Sequence, residues 1–318
     1  MLDILAVGET LIDFTTDRTD SAGYPTMTAH PGGAPANFLA AAAAYGMKAA
    51  FYTKVGDDYF GKTLVETLKS AGIDTRGVVI TPDTFTTLAF VTLDDKGDRS
   101  FSFARKPGAD TQLVPEELDL SLIDDARCVH FGTVSMTDEP ARGTTKRVVE
   151  IAREKGKLVT FDPNLRVPLW KSLDDARDQI EWGVRHADVV KISLEEVEFL
   201  FGCDEKQGAE RLLGDCGVKL VFVTLGKDGC YWANAQGCGY VENFADVKTV
   251  DTTGAGDIFG GTAVAQLLRL GAAPESIPGD TIAAIARCAC ATASISTEKF
   301  GGISSVPTPD EVTARLDK

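Results

Sequence analysis

A chain of 318 residues with 44% hydrophobic and 25% charged residues has the composition of a folded protein with a large buried core, not of a disordered one. Its 32 Lys and Arg against 47 Asp and Glu leave a net charge of −15, which opposes nonspecific binding to nucleic acid or to an anionic membrane. No apolar run has the length of a membrane span and no basic segment precedes the first apolar run; the seven cysteines lack any Cys-x-x-Cys spacing and read as reduced thiols, so a cytoplasmic protein is expected.

In chain order, the first apolar run, 3–8, reads as a buried strand. Two β-rich stretches follow at 11–15 and 27–30, then an Ala-rich helix over 34–45, a strand over 49–55 and a helix over 59–71 that Gly72 ends. A hairpin is expected from 86–93 and 100–104, with Asp94-Asp95-Lys96-Gly97-Asp98 as its turn. Strands at 127–131, 157–161, 188–192 and 220–224 then alternate with helices at 140–155, 173–186, 194–201 and 205–216, and a late helix runs from about 254 to 270. This alternation predicts an α/β fold, a mainly parallel sheet covered on both faces. The β-rich insertions within 11–30 and 84–106 break the rhythm and are expected to form a small lid sheet within one domain spanning 1–318.

The segment from Val250 to Gly261 is the most informative. Thr252 or Thr253 is expected to cap the late helix. Gly254, Ala255 and Gly256 are small and leave the first N–H groups of that helix open, which makes an anion site. Asp257 beside an anion is unfavourable unless it accepts the proton of a hydroxyl attacking a phosphoryl group; an acidic residue answering the helix dipole is the alternative. Gly254-x-Gly256 lacks the third glycine of a dinucleotide fingerprint and lies late in the chain.

Gly32 and Gly33 open the Ala-rich helix and permit close approach to backbone, and Asn37 offers a donor and an acceptor to a hydroxyl-rich ligand. Asp13 is an acid in an apolar run, suited to adjacent sugar hydroxyls or to a place on an edge strand. Gly56-Asp57-Asp58-Tyr59-Phe60-Gly61-Lys62-Thr63 has the letters of a P-loop, but its two aspartates would repel phosphate, so they are read as a helix cap and first turn. Arg166, in the turn Asp162-Pro163-Asn164-Leu165-Arg166, follows a strand at the end where ligands bind parallel sheets, as does the turn from Thr224 to Gly229. His30, His130 and His186 show no metal spacing.

Together these segments resemble the ribokinase-like (PfkB-type) carbohydrate kinases: Gly32-Gly33-Ala34-Pro35-Ala36-Asn37 resembles the N-terminal signature and Asp251-Thr252-Thr253-Gly254-Ala255-Gly256-Asp257 the C-terminal one. Within the family, the segments from Gly8 to Phe14 and from Asp162 to Trp170 are most similar to fructokinases. The resemblance implies a three-layer α/β/α domain with a small β-sheet lid. It implies transfer of the ATP γ-phosphate to the 6-hydroxyl of D-fructose, with Asp257 as base and Gly254, Ala255 and Gly256 in the anion hole. Asp13, Gly32, Gly33, Asn37, Arg105 and Arg166 are then expected at the sugar or the transferring phosphate, and Ser193, Thr224, Gly226, Gly229 and Cys290 at the nucleotide. Ser193-Leu194-Glu195-Glu196 stands where the family has Asn-x-x-Glu, which makes Glu196 the Mg²⁺-side acid through water. Asp251, Thr253, Ser296, Lys299, Gly301 and Ser305 fall at the places of a monovalent cation site, for K⁺. The partners implied are a small sugar and ATP, with no nucleic acid or membrane, and a homodimer through the lid is a further expectation. The alternatives are a 2-keto-3-deoxygluconate kinase of the same family, a catalytically silent sugar- or nucleotide-binding protein, and a nicotinamide dehydrogenase, the last disfavoured by the missing fingerprint.

Overall fold

The apolar run that begins the chain becomes a central strand because it has apolar side chains on both faces. In the computed structural model, which describes residues 1–93 and 99–317 and leaves the side chains of 92–101 aside, the elements run β1 (Leu2–Val7), β2 (Leu11–Thr19), β3 (Pro25–Gly32), α1 (Ala34–Ala44), β4 (Ala49–Gly56), α2 (Tyr59–Ser70), β5 (Ile73–Asp74), β6 (Val78–Thr81), β7 (Leu88–Leu93), β8 (Arg99–Ala104), α3 (Ser121–Asp125), β9 (Ala126–Gly132), α4 (Ala141–Glu154), β10 (Leu158–Asp162), α5 (Leu173–His186), β11 (Val189–Ser193), α6 (Leu194–Phe201), α7 (Glu205–Gly214), β12 (Leu220–Thr224), β13 (Cys230–Asn234), β14 (Gly237–Val241), α8 (Ala255–Leu270), α9 (Gly279–Ser296) and α10 (Pro309–Leu316). Alternate residues of β1 enter opposite cores. Leu5 and Val7 pack with Val148, Val149 and Ile180 of α4 and α5, and Ile4 and Ala6 pack with Phe38, Leu39 and Val264 of α1 and α8. The result is the sheet covered on both faces that the alternation predicted, in the three-layer arrangement that the resemblance implied.

The large sheet has the order β14-β13-β12-β11-β10-β9-β1-β4-β5, with β6 also paired to β4. Its strands are parallel from β12 to β5. The last two, β13 and β14, form an antiparallel hairpin that the strand–helix rhythm did not predict. In register, Asp162 of β10 lies beside Gly132 of β9, and Ser193 of β11 beside Thr224 of β12, so these side chains stand together at the carboxyl edge of the sheet. That edge is where ligands meet parallel sheets.

A separate four-stranded sheet, β3-β2-β7-β8, is built from the two insertions. Phe14 stacks on Phe90 at 5.4 Å and meets Phe60 of α2 edge-on at 5.6 Å, which holds this sheet against the main body. The expected turn 94–98 lies outside the described residues. Asp58 caps α2 by accepting from the Gly61 N–H at 2.9 Å, as the sequence reading had it, and its other oxygen accepts from Thr86 N–H. A Cβ on Gly61 would lie 2.0 Å from the Gly56 carbonyl, so this loop is closed on itself and has no room for a phosphate.

Candidate active site

The first turn of α8 forms a partition. Gly254 adopts the left-handed region with φ of 76°, and a Cβ there would stand 2.9 Å from Asn37 Nδ2 and 3.1 Å from Gly302, so only glycine lets α8 begin against α1 and the 301–302 loop. Gly254, not Thr252 or Thr253, is the N-cap; the Thr253 hydroxyl donates instead to Asp251 Oδ1 at 2.7 Å. The start of α8 carries no side-chain cap; the Ala255 N–H donates to the Thr252 carbonyl at 3.3 Å, and the Gly256 and Asp257 amides have no intrahelical acceptors.

On one side of the partition lies a cavity of about 420 Å³, lined by Gly254, Asp257, Asn37, Gly33, Asp13 and Arg166 among others. On the other lies a cavity of about 560 Å³, lined by Ala255, Gly256, Thr224, Gly226, Gly229 and Cys290 among others. Thr252 borders both. Four residues expected at the sugar, Asp13, Gly33, Asn37 and Arg166, and four expected at the nucleotide, Thr224, Gly226, Gly229 and Cys290, thus separate into two adjoining cavities, each large enough for a small metabolite.

Asp257 is buried, and Asn37 Nδ2 donates to its Oδ2 at 2.9 Å. Burial, with repulsion from Asp162, pushes its carboxyl up to about 6; Lys191, the Asn37 hydrogen bond and Arg166 pull the other way. Asn37 therefore orients this carboxylate as well as lining the cavity. Asp13 faces the cavity from β2, and its Oδ2 would meet a Cβ on Gly32 at 2.6 Å. Burial pushes Asp13 up to about 7, against the pull of Arg166, and Glu9 on the same wall goes up to about 7 for the same reason. The Glu9 Oε1 accepts from Ala34 N–H at 2.9 Å, and a Cβ on Gly33 would strike the Glu9 carbonyl at 2.6 Å. Asn164, with a left-handed φ of 48°, turns the chain so that Arg166 reaches this wall.

Three expected contacts, Gly32, Arg105 and Ser193, do not line these cavities. Arg105 is buried in an ion pair: its Nε donates to Asp110 Oδ2 at 2.8 Å, Nη1 to Thr137 and Nη2 to the Val134 carbonyl. It does not line the cavity that holds Asp13. Ser193 caps α6, accepting from Glu196 N–H at 3.2 Å, and does not line the cavity of Thr224. Of the expected cation ligands, Asp251 accepts from Thr253 N–H and from Gly301 N–H at 3.0 Å, which ties three of them together. The hydroxyls of Ser296 and Ser305 donate within their own turns, and the Lys299 ammonium pairs with Glu311.

Glu196 accepts from Leu165 N–H at 2.7 Å and Ser193 N–H at 2.9 Å, one bond to each oxygen, which leaves lone pairs for a metal-bound water. No cluster of three or more His, Cys, Asp or Glu side chains suited to a metal occurs among the described residues. His130 is structural as expected, stacked on Phe38 at 3.6 Å and hydrogen-bonded to Thr160. The sequence reading missed Lys191. Its ammonium lies 2.8 Å from Asp162 Oδ2, just below Gly256, where an added Cβ would meet it at 3.0 Å. The signal was available, since Lys191 is the one charged residue in the apolar strand Val-Val-Lys-Ile-Ser.

This geometry has counterparts of known kind. A structure of fructokinase from Xylella fastidiosa with bound ATP superposes with a TM-score of 0.90 at 30% identity, covering 99% of this chain and 98% of that one. A double mutant of the fructokinase from Vibrio cholerae O395, in fructose, ADP and potassium ion bound form, superposes with a TM-score of 0.86 at 29% identity, covering 99% and 98%. Fructokinase-2 of Solanum lycopersicum is 40% identical over 318 residues, which is 98% of this chain and 95% of that protein. The model for the pfkB family of carbohydrate kinases matches residues 1–309, and with both signatures folded into one site between two cavities, the chain belongs to that family.

Proposed function

We propose that the protein phosphorylates D-fructose on its primary 6-hydroxyl, with MgATP as donor. The observation that carries this reading is the helix turn between two cavities, with the Asp257 carboxylate facing one and the Ala255 and Gly256 backbone facing the other. The sugar lies among Asp13, Asn37, Gly33 and Arg166, and ATP lies along Thr224, Gly226, Gly229 and Cys290. Asp257, oriented by Asn37, takes the proton of the hydroxyl as its oxygen attacks the γ-phosphorus in line, and ADP leaves on the far side of the turn. The amides of Gly254–Asp257 offset charge that builds on the transferring phosphoryl group. Glu196 would hold a phosphate-bound Mg²⁺ through water, and that ion would supply further charge neutralisation.

The wall of the sugar cavity favours a neutral polyol over a sugar acid. Its charged lining is Glu9, Asp13 and Asp257 against Arg166, and Arg105 is committed to Asp110. The carboxylate of 2-keto-3-deoxygluconate would meet net repulsion there. The test is ADP release from MgATP by the purified protein in potassium buffer, with fructose, ribose, glucose and 2-keto-3-deoxygluconate offered separately. Fructose should give the highest kcat/KM; preference for the sugar acid would overturn the assignment.

On the same reading the chain is one domain, 1–318, whose small sheet closes as a lid and excludes water from the transfer. The sheet's outer strand β3, largely exposed, supports a homodimer formed through that edge, which light scattering of the pure protein would detect. Asp251, tying Thr253 to Gly301, supports a K⁺ site beside the anion hole, read out as faster turnover in potassium than in a large organic cation. No helix among the described residues is long and apolar enough to cross a membrane, and the seven cysteines are unpaired, which supports a reducing, cytoplasmic setting.

A further inference from the structure

Lys191 occupies an electrostatically awkward place. Its ammonium sits under the first turn of α8, the positive end of a helix, and the walls around its stem are Phe38, Phe161, Val189 and Phe222. The ammonium is held there by Asp162, at 2.8 Å, while Asp162 Oδ1 is buried with no hydrogen-bond partner. Such a pair is a poor device for stability alone, because desolvation offsets most of its attraction. It lies within electrostatic reach of Asp257, one residue from the glycine that makes room for it.

The groups facing Asp257 come from several elements. They are Asp162 and Arg166 from β10 and its following turn, Lys191 from β11, Asp13 from β2 and the neutral Asn37 from α1, while Glu196 of α6 and His130 of β9 act on Lys191, and Asp251 acts on Asp13. Three carboxylates, Asp162, Glu196 and Asp257, thus share one buried ammonium. We propose that Lys191 and Asp162 are positioning residues for the reaction: from beneath the anion-hole turn, Lys191 holds Asp257 ionised, and Asp162 limits that pull so that the carboxylate still accepts a proton. This inference rests on Asp257 being the base. The opposed signs of the two partners agree with it, since Lys191 lowers the affinity of Asp257 for a proton and Asp162 raises it.

The experiment is a pH profile of kcat/KM for Lys191→Met and Asp162→Asn, beside a ¹³C titration of the Asp257 carboxyl assigned by its loss in Asp257→Asn. The kcat/KM profile reports the free enzyme, the state described above. Lys191→Met should move the acidic limb and the carboxyl titration upward by about one pH unit or more, so that activity at pH 6 falls at least about fivefold further than at pH 8.5. Asp162→Asn should move both downward, and the double variant should fall between them. If Lys191→Met is folded by thermal unfolding and Asp257 titrates as in the parent, the inference is wrong, while silence of Asp257→Asn still upholds the base. If the carboxyl titration moves and the kinetic limb does not, the charge coupling stands and the base assignment fails. Should Lys191→Met not fold, Asp162→Asn decides alone, and an unmoved or upward limb there overturns the proposal.

Discussion

Replacing Gly261 by alanine tests whether the crossing of α1 and α8 fixes the catalytic geometry. A Cβ on Gly261 would lie 2.1 Å from the Phe38 carbonyl oxygen, a backbone atom that cannot rotate away, so the helices must part by roughly 1 Å. Overpacking of this kind costs about 1–3 kcal/mol, even after the gain in helix propensity. At about 1.5 °C per kcal/mol for a chain of this length, Tm should fall by about 2–5 °C. The separation also acts on the site, since Phe38 follows Asn37 and Gly261 lies one turn after Asp257; the 2.9 Å bond between Asn37 and Asp257 spans the same crossing. A displacement near 1 Å there should reduce kcat by roughly 10- to 100-fold, with the KM for ATP little changed. The neighbouring Gly260 is the control. Its added Cβ would stand 3.4 Å from the Phe38 ring, an ordinary contact, so Gly260→Ala should hold or raise Tm, by up to about 1 kcal/mol of helix propensity. Thermal unfolding and coupled ADP assays on the two variants suffice. Equal behaviour of the pair, or a Gly261→Ala enzyme with parental Tm and kcat, would refute the argument.

Asp257→Asn should lower kcat by roughly 10²- to 10⁴-fold while ADP binding by calorimetry is kept; near-parental turnover would remove its role as base. Glu9 and Asp13, pushed up to about 7, and Asp257, up to about 6, bind protons more tightly folded than unfolded, so between pH 4 and 7 the native state holds more protons and its stability falls as pH rises. Asp13→Asn should therefore stabilise the empty protein at pH 8, on the order of 1 kcal/mol, while weakening sugar binding; a Tm unchanged at pH 8 would contradict this. Asp110→Asn leaves the Arg105 guanidinium buried without its carboxylate and should cost about 3–5 kcal/mol, with the KM for fructose nearly constant. A changed KM with unchanged stability would instead return Arg105 to the sugar.

Local chemistry was the legible part of the sequence. Apolar runs alternating with amphipathic segments marked the parallel core, and Gly254, Ala255 and Gly256 marked a helix start, one that carries no side-chain cap, because each depends on neighbours in sequence. What was not legible depends on partners brought together by folding. The resemblance put Arg105 at the ligand, and nothing in the sequence corrected it, since its partner Asp110 lies across a tight turn that carries no periodic signal. Thr252 and Thr253 fitted the cap preference, but Asp251 takes the Thr253 hydroxyl and the chain enters α8 through a left-handed Gly254 instead. The ion pair of Lys191 and Asp162 joins adjacent strands and appears only when β10 and β11 pair. The hairpin of β13 and β14 was missed because its edge strand, Gly-Cys-Gly-Tyr-Val, alternates small and large residues instead of apolar and charged ones.

The hydrogen bond from Asn37 to Asp257 joins residues 220 positions apart in the chain. During synthesis, α1 leaves the ribosome long before the turn that carries Asp257, so the Asn37–Asp257 bond cannot form until the chain has grown past residue 257. The wall between the two cavities is therefore completed late, when α8 docks on α1 and Asp257 meets Asn37.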